Sequence, residues 1–338
     1  MRPAVTFALF AYNQENYVRE AIEGAFAQQF SSMEIILSDD CSSDGTFAIM
    51  QEMAAAYDGP HSVIARREDP NAGTVRHLIN VARAGSGDFL VVAAGDDISY
   101  PDRAARLHAT WKQTGAAALS SWHDEIDDQG KLLGSDLSFQ TSAVTQILFR
   151  HSATARRVEG VVQAIPGFTA AYPRSLWAEM PDPADRLFVE DGLATILLNL
   201  RGESIVRVPH SLVAYRLLDT SLSNRKGGLD AVEVMARERK IDFLARDQVG
   251  LVDHVFAVAK RDGIAIDAGT RRQLERHRNH GQVIASYWDQ GPLGRVARLT
   301  QIRMREDAAY LFPRLAGRTA FVALRLLNER RRSRRSQG

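Results

Sequence analysis

The sequence predicts an α/β protein: a mostly parallel central sheet, helices on both faces, and a helical extension at the C-terminal side. Three observations carry this. From Val5 to Trp111 short apolar runs alternate with amphipathic stretches, the rhythm of right-handed strand–helix–strand units. Two of the apolar runs stop at paired acids, Asp39-Asp40 and Asp96-Asp97. The carboxyl ends of parallel strands are where open sheets bind ligands. Beyond Asn224 only helical spacing is found, interrupted near Gly250, Gly263, Gly291 and Pro313.

Each element has its own warrant. Residues 5–10 are apolar and β-prone, a first strand. Residues 15–28 place Tyr17, Val18, Ala21, Ile22, Ala25 and Phe26 at helical spacing. Residues 33–37 form a second strand, and 47–57 a second helix. A third strand at 62–65 and a turn at Asn71-Ala72-Gly73 precede a third helix at 75–84. Phe89, Leu90, Val91 and Val92 form an unbroken run, as expected of a strand buried on both faces. Pro101 then opens a helix at Asp102-Arg103. After Trp111 the rhythm loosens. A strand is expected at 116–121, a hairpin turn at Asp127-Asp128-Gln129-Gly130, and helical or irregular chain at 142–157. Pro166-Gly167-Phe168-Thr169 breaks the chain before a short helix. A buried helix is expected at 191–200 and two strands at 204–208 and 212–215.

Composition narrows the class. The 338 residues are 45% hydrophobic and 25% charged, ordinary for a globular protein with an ample core. No apolar run reaches the length of a membrane span, and the start of the chain lacks a signal-peptide pattern. A single cysteine, Cys41, excludes an internal disulfide and a cysteine-based zinc cluster, and it reads as a small turn residue. The nine histidines show no metal-ligand spacing. These features fit a cytoplasmic protein. The net charge of +1 hides an asymmetry. Residues 225–338 hold 24 Lys/Arg against 13 Asp/Glu, a balance of +11, and the remainder holds 18 against 28, a balance of −10. An acidic body fits cation binding, and a basic end fits an anionic surface.

The paired acids suggest the chemistry. Two carboxylates at a buried strand end are costly unless a cation or hydrogen-bond donors satisfy them. Asp96-Asp97 therefore reads as one wall of a site for a divalent cation and phosphate, or else as an acidic turn capping the next helix. Asp40 can accept the imide N–H of a uracil or thymine, and Tyr12 offers a ring face to that base or a simple lid on the sheet edge. Asp44 reads as a helix cap. Arg76, His77, Arg216 and Arg225 are candidate phosphate contacts, though solvated surface is the commoner fate of such residues.

AYNQENYVREAIEGAFAQQ, EIILSDDCSSDGT, NAGTVRHLIN and GDFLVVAAGDDISYPDR, in this order, resemble the nucleotide-binding half of glycosyltransferase family 2, whose fold is GT-A. The likeness covers about the first 110 residues, and FVEDG and VAYRLLDTSLS resemble later landmarks. The resemblance implies roles. Ala11, Tyr12, Glu15 and Asp40 would hold the nucleoside. Asp97 would bind the divalent ion, Mn²⁺ or Mg²⁺, and Asp96 would face the ribose or sugar. Asp191 would be the general base, kept ionised by the helix dipole, or else a plain cap of the helix at 192–200, with Glu190 as fallback base. Gly167, Phe168 and Thr169 would line the acceptor floor. Two departures stand out: Ala93-Ala94-Gly95 precedes Asp96-Asp97 where many members carry a further acid, and Leu218 stands where many carry a histidine.

The implied protein is an inverting, metal-dependent glycosyltransferase. It would move a sugar from a nucleotide-sugar, a UDP-sugar first, to a glycan or lipid-linked acceptor in surface polysaccharide biosynthesis. Residues 1–224 would be the catalytic domain, with 1–110 binding nucleotide and 111–224 acceptor, and 225–338 would be a helical region with a basic tail. In GRTAFVALRLLNERRRSRR the apolar part is too short to span a bilayer. Its arginines suit anionic headgroups at the inner face of the cell membrane. The tail lacks interleaved aromatics, so no nucleic-acid partner is expected. Two alternatives remain. One is a degenerate sugar-nucleotide-binding or membrane-scaffold protein. The other is a nucleotidyltransferase, which would need a Gly-rich basic loop where Ala11-Tyr12-Asn13 stands.

Overall fold

The computed structural model describes residues 2–31, 33–136, 165–218, 231–285 and 287–297, and single positions at 311, 314–315, 321–323 and 325. The chain divides into two units, Met1–Leu217 with His254–Ile266, and Leu218–Asp253 with Asp267–Gly338.

The first unit is built on a sheet of nine described strands. β1 (Val5–Ala11), β2 (Met33–Asp39), β3 (Ser62–Arg67) and β4 (Phe89–Ala94) pair in parallel in the order β3-β2-β1-β4. Between them run α1 (Val18–Phe26), α2 (Thr46–Ala56) and α3 (Thr74–Ala84). Phe7, Leu9, Ile35 and Val91 on one face and Ala8, Ile36 and Leu90 on the other are fully buried, so the apolar runs are apolar because both sheet faces are covered. After β4 come β5 (Ile98–Ser99) and α4 (Arg103–Thr114), which stops at Gly115 in the left-handed conformation.

The sheet then turns mixed. β6 (Ala118–Ile126) and β7 (Leu132–Asp136) form the expected hairpin across Asp127-Asp128-Gln129-Gly130. β8 (Ala171–Pro173) runs antiparallel to both β4 and β6. The short helix α5 (Ser175–Ala178) follows, and then α6 (Glu190–Arg201), whose residues 192–198 are all buried. Residues 204–208 and 212–215 are not two strands but one, β9 (Ile205–Arg216). Pro209 cannot donate to the ladder, and the register with β6 shifts near Trp122, so the interruption is a bulge inside one strand. β9 runs parallel to β6 and antiparallel to β5, which sets Arg216 beside the loop that leaves β4. The expected helical or irregular stretch at 142–157 lies outside the described residues.

α7 (Ala231–Asp262) contributes to both units. In the second, α8 (Ala268–Ile284) is capped by Asp267, and the six-residue α9 (Pro292–Ala297) follows. Ala245, Val283, Ile284, Tyr287 and Leu311 form its core. Gly281 is required there, because a Cβ would lie 2.8 Å from the Ala245 carbonyl oxygen. Arg314 and Glu238 form a buried pair at 2.7 and 2.6 Å. Phe321, counted by sequence with the apolar part of the tail, is 2% exposed and lies under the Arg314 guanidinium at 4.4 Å. Arg330 to Arg335 lie outside the described residues. No helix among the described residues is long and apolar enough to cross a membrane.

Candidate active site

The carboxyl ends of β1, β2 and β4 form one rim, because these strands are adjacent and parallel. The loops behind β1 and β2 are tied together. Asn13 N–H donates to Ser42 Oγ at 2.9 Å, and Ser43 N–H to Asn13 Oδ1 at 2.8 Å. Asn13 and Cys41 both sit at positive φ, 53° and 65°, which turns the chain sharply at each strand end. Ala11 ends β1 in the core, and Tyr12, just beyond it, is 52% exposed with its ring free to meet a ligand. Glu15 accepts from Gly45 N–H at 2.7 Å, and Asp44 accepts from Thr46 N–H at 3.0 Å. Both carboxylates therefore serve the start of α2. For Asp44 this is the expected cap. Burial raises it, but hydrogen bonds from the Thr46 hydroxyl and backbone win and hold it below its usual range.

Asp40 is buried and fixed. Its backbone N–H donates to the Ala11 carbonyl at 2.9 Å. Its two carboxylate oxygens accept from Ala72 N–H at 2.6 Å and Gly73 N–H at 3.1 Å. Burial pushes its pKa up against those two donors. Beside it, Asp39 accepts from Ser42 N–H at 2.9 Å and meets Arg67 Nε at 3.2 Å.

Gly95, Asp96 and Asp97 leave β4 through a turn that only glycine fits. A Cβ on Gly95 would lie 2.6 Å from both Ala11 Cβ and Gln14 Oε1. Arg216 grips this turn from β9. Its N–H donates to Asp97 Oδ1 at 2.9 Å and its Nε to the Asp96 carbonyl at 2.9 Å. Its remaining nitrogens bond the carbonyls of Asp127 and Asp128 and the Glu20 carboxylate. Its ring neighbour is Tyr17, 5.1 Å away. Asp97 Oδ2 is buried with no hydrogen-bond partner. Burial, and then the charge of Asp96, push Asp97 well above the carboxylate range, against the Arg216 N–H and the charges of Arg103 and Arg216. Burial raises Asp96 as well.

A buried carboxylate oxygen without a donor, beside a second carboxylate, suits a hard divalent cation. Among the described residues no three His, Cys, Asp or Glu side chains form a complete metal cluster. An ion here would take its remaining ligands from phosphate oxygens and water, as Mg²⁺ commonly does.

Glu190 and Asp191 open α6 and meet the turn Gly167–Thr169. A Cβ on Gly167 would lie 2.1 Å from Glu190 Oε1 and 3.8 Å from Asp191 Cβ. Thr169 is buried and bonds the Pro166 carbonyl at 3.1 Å. Phe168 stacks on Tyr215 at 4.2 Å, with His123 edge-on to both. The predicted acceptor floor and the predicted bases are thus neighbours. Asp191 accepts from Gly192 N–H at 2.6 Å. The helix dipole does not hold its pKa down. Desolvation of this partly buried carboxyl raises it to about 6, against the N–H groups of Gly192, Asp191 and Gly167.

Several arginine and histidine expectations change. Arg216 is 1% exposed rather than solvated, and four side-chain hydrogen bonds occupy it. His77 is buried against Ser38 Oγ at 2.6 Å, and burial, then the charge of Arg66, lowers it to about 3. It is neutral and no phosphate ligand. Arg76 donates to the Pro183 carbonyl. Arg225 lies outside the described residues. Sequence reasoning missed Arg103, which is completely buried and donates to Val92 O, Ser99 Oγ and Phe168 O. A signal existed: a cation at the first position of a helix opposes the dipole, so it needs partners elsewhere.

Residues 6–180 match the family described as Glycosyl transferase family 2. The putative glycosyltransferase EpsE of Bacillus subtilis is 33% identical over 102 residues, 30% of this chain and 36% of that protein. The succinoglycan biosynthesis protein ExoO of Rhizobium meliloti is 33% identical over 132 residues, 39% of this chain and 36% of that protein. The chain thus spans just over a third of the length of these curated relatives. A mannosyltransferase of Pyrobaculum calidifontis, solved with GDP-Man and Mn²⁺, superposes with a TM-score of 0.52 at 16% identity, over 97% of this chain and 88% of that one. At that identity the likeness is one of fold, and it bears out the α/β, GT-A architecture.

Proposed function

The chain belongs to glycosyl transferase family 2, and from that premise we propose that it moves a sugar from a UDP-sugar to a hydroxyl of a glycan or lipid-linked acceptor, with inversion at the sugar carbon. Its place is surface polysaccharide assembly, in the cytoplasm at the inner face of the cell membrane. The reading rests chiefly on the buried, donorless Oδ2 of Asp97 at the strand-end rim. Asp97, with Asp96 beside it, would hold Mn²⁺ or Mg²⁺, which when bound offsets the charge that develops on the leaving diphosphate. The mannosyltransferase of the same fold is solved with GDP-Man and Mn²⁺, which supports a nucleotide-sugar donor and a divalent ion.

The chain's own residues do the rest. Tyr12 stacks on the base. Asp40, held rigid by two backbone donors, offers its remaining lone pairs to the imide N–H. The acceptor lies on Gly167–Thr169, and its hydroxyl passes a proton to Asp191. A pKa of about 6 leaves Asp191 ionised at neutral pH yet basic enough to accept. A single base facing a leaving group on the opposite side means direct displacement, hence inversion.

The test is thermal stabilisation by UDP-, dTDP- and GDP-sugars, with and without Mn²⁺, followed by assay of nucleoside diphosphate release. Binding only to the native state raises the melting temperature. Wild type should be stabilised by one donor in the presence of Mn²⁺. Asp97→Ala should keep its fold and lose that stabilisation. Equal stabilisation in the variant would place the ion elsewhere. Binding without any release would favour a sugar-nucleotide-binding protein that has lost turnover, a reading to which the missing acid before Asp96 lends support.

A further inference from the structure

Arg103 is completely buried at the first position of α4, where the helix dipole disfavours a cation. Burial lowers its guanidinium to about 9, and the charge of Asp97 restores only part of that. Among the described residues it forms no direct ion pair. It donates to Val92 O at 2.6 Å, Ser99 Oγ at 2.9 Å and Phe168 O at 2.8 Å. These partners belong to separate stretches. Val92 and Ser99 flank the turn that carries Asp96 and Asp97. Phe168 is the centre of the turn that meets Glu190 and Asp191.

We propose that Arg103 is a positioning residue that fixes the Asp96-Asp97 turn relative to the Gly167–Thr169 turn, so that the two sides of the reaction are held in register. This rests on the function proposed above. The choice of arginine supports it. A planar guanidinium can reach two carbonyls and a hydroxyl in different directions at once, whereas a lysine ammonium acts as a point charge on a flexible stem. A merely space-filling role would be served as well by a hydrophobic side chain, since buried charges are weak contributors to stability. The first position of α4 brings that fork between β4 and the turn before β8, which are already joined by the bond from Val92 N–H to the Ala170 carbonyl at 3.0 Å.

The test uses the full chain carrying Arg103→Met, and Arg103→Lys as a variant that keeps the charge. Backbone hydrogen exchange is measured on the protein alone and with Mn²⁺ plus UDP, or Mn²⁺ plus GDP. Without ligand, amides of 95–99 and 167–170 should exchange about tenfold faster in both variants, the worth of one lost hydrogen bond, while β2 and β3 stay unchanged. With Mn²⁺ and nucleotide, wild type should gain protection in both turns, and the variants in 95–99 alone. Donor turnover should fall about a hundredfold, as a misplacement of roughly 1 Å can cost, while the donor KM stays nearly constant. Unchanged exchange at 167–170 in Arg103→Met would overturn the proposal. So would loosening spread evenly over the sheet, or full function in Arg103→Lys. If neither nucleotide protects the wild type, the glycosyl-transfer reading falls, and exchange in the unliganded protein alone decides whether Arg103 couples the turns. Should Arg103→Met fail to fold, Arg103→Lys supplies the same comparison.

Discussion

Asp191→Asn should cost activity and increase stability together. Asp191 is partly buried, and desolvation raises its carboxyl to about 6 in place of 3.8. The folded protein therefore binds this proton more tightly than the unfolded chain does. The stability associated with the raised pKa is fully present below the unfolded value and is lost as pH rises through 6. A shift of that size corresponds to roughly 3 kcal/mol of penalty for the ionised form at neutral pH. Asparagine keeps the size and the oxygen that accepts from Gly192 N–H, and carries no charge. The variant should gain about 2–3 kcal/mol above pH 7 and gain almost nothing below pH 4. Urea unfolding at pH 4, 6 and 8 reads this directly. Transfer should fall by roughly two to four orders of magnitude, the usual worth of a general base. In the wild type, kcat/KM should drop about tenfold per pH unit below 6. A variant that turns over near the wild-type rate would remove Asp191 from the base role and leave Glu190. A variant that is destabilised at pH 8 would show that the carboxylate is better solvated than its burial indicates.

Three further outcomes are expected. Gly167→Ala would put a Cβ 2.1 Å from Glu190 Oε1, so the helix start or the turn must shift; a loss of about 1–3 kcal/mol in urea and reduced turnover with normal nucleotide binding should follow, and wild-type turnover would separate this turn from the acceptor. Arg216→Met leaves the carbonyls of Asp96, Asp127 and Asp128 without their donor, while the half-exposed Glu20 carboxylate is taken up by solvent; this should cost about 1–3 kcal/mol and weaken Mn²⁺ binding by freeing the Asp97 turn; calorimetry with Mn²⁺ and nucleotide checks it, and intact affinity would refute the clamp. Replacing Arg330, Arg331, Arg332, Arg334 and Arg335 by glutamine should abolish salt-sensitive sedimentation with anionic vesicles, each arginine being worth about 1 kcal/mol near such a surface, and leave donor hydrolysis in solution unchanged; equal sedimentation of both proteins would sink the membrane contact.

The elements of the nucleotide-binding half were legible because their causes are local. Period-2 and period-3.6 spacing, glycine turns and caps act within a few residues, so β1 to β4 and α1 to α4 begin and end within a few residues of where periodicity puts them. The paired acids at Asp39-Asp40 and Asp96-Asp97 were also visible, since strand ends and carboxylates can be read one residue at a time. What the tertiary structure decided was the fate of groups whose partners lie far along the chain. Arg216 became a buried clamp because β9 runs on through Pro209 and aligns with β5, a pairing across more than a hundred residues. Arg103 became a bridge because β8 places Phe168 beside β4. Asp191 stands at a helix start, where the dipole predicts a low pKa, and the surrounding layers reverse that by removing water. Spacing within a sequence reports which face of an element is apolar. Only the packed chain determines which charges lose their solvent and what they find in its place.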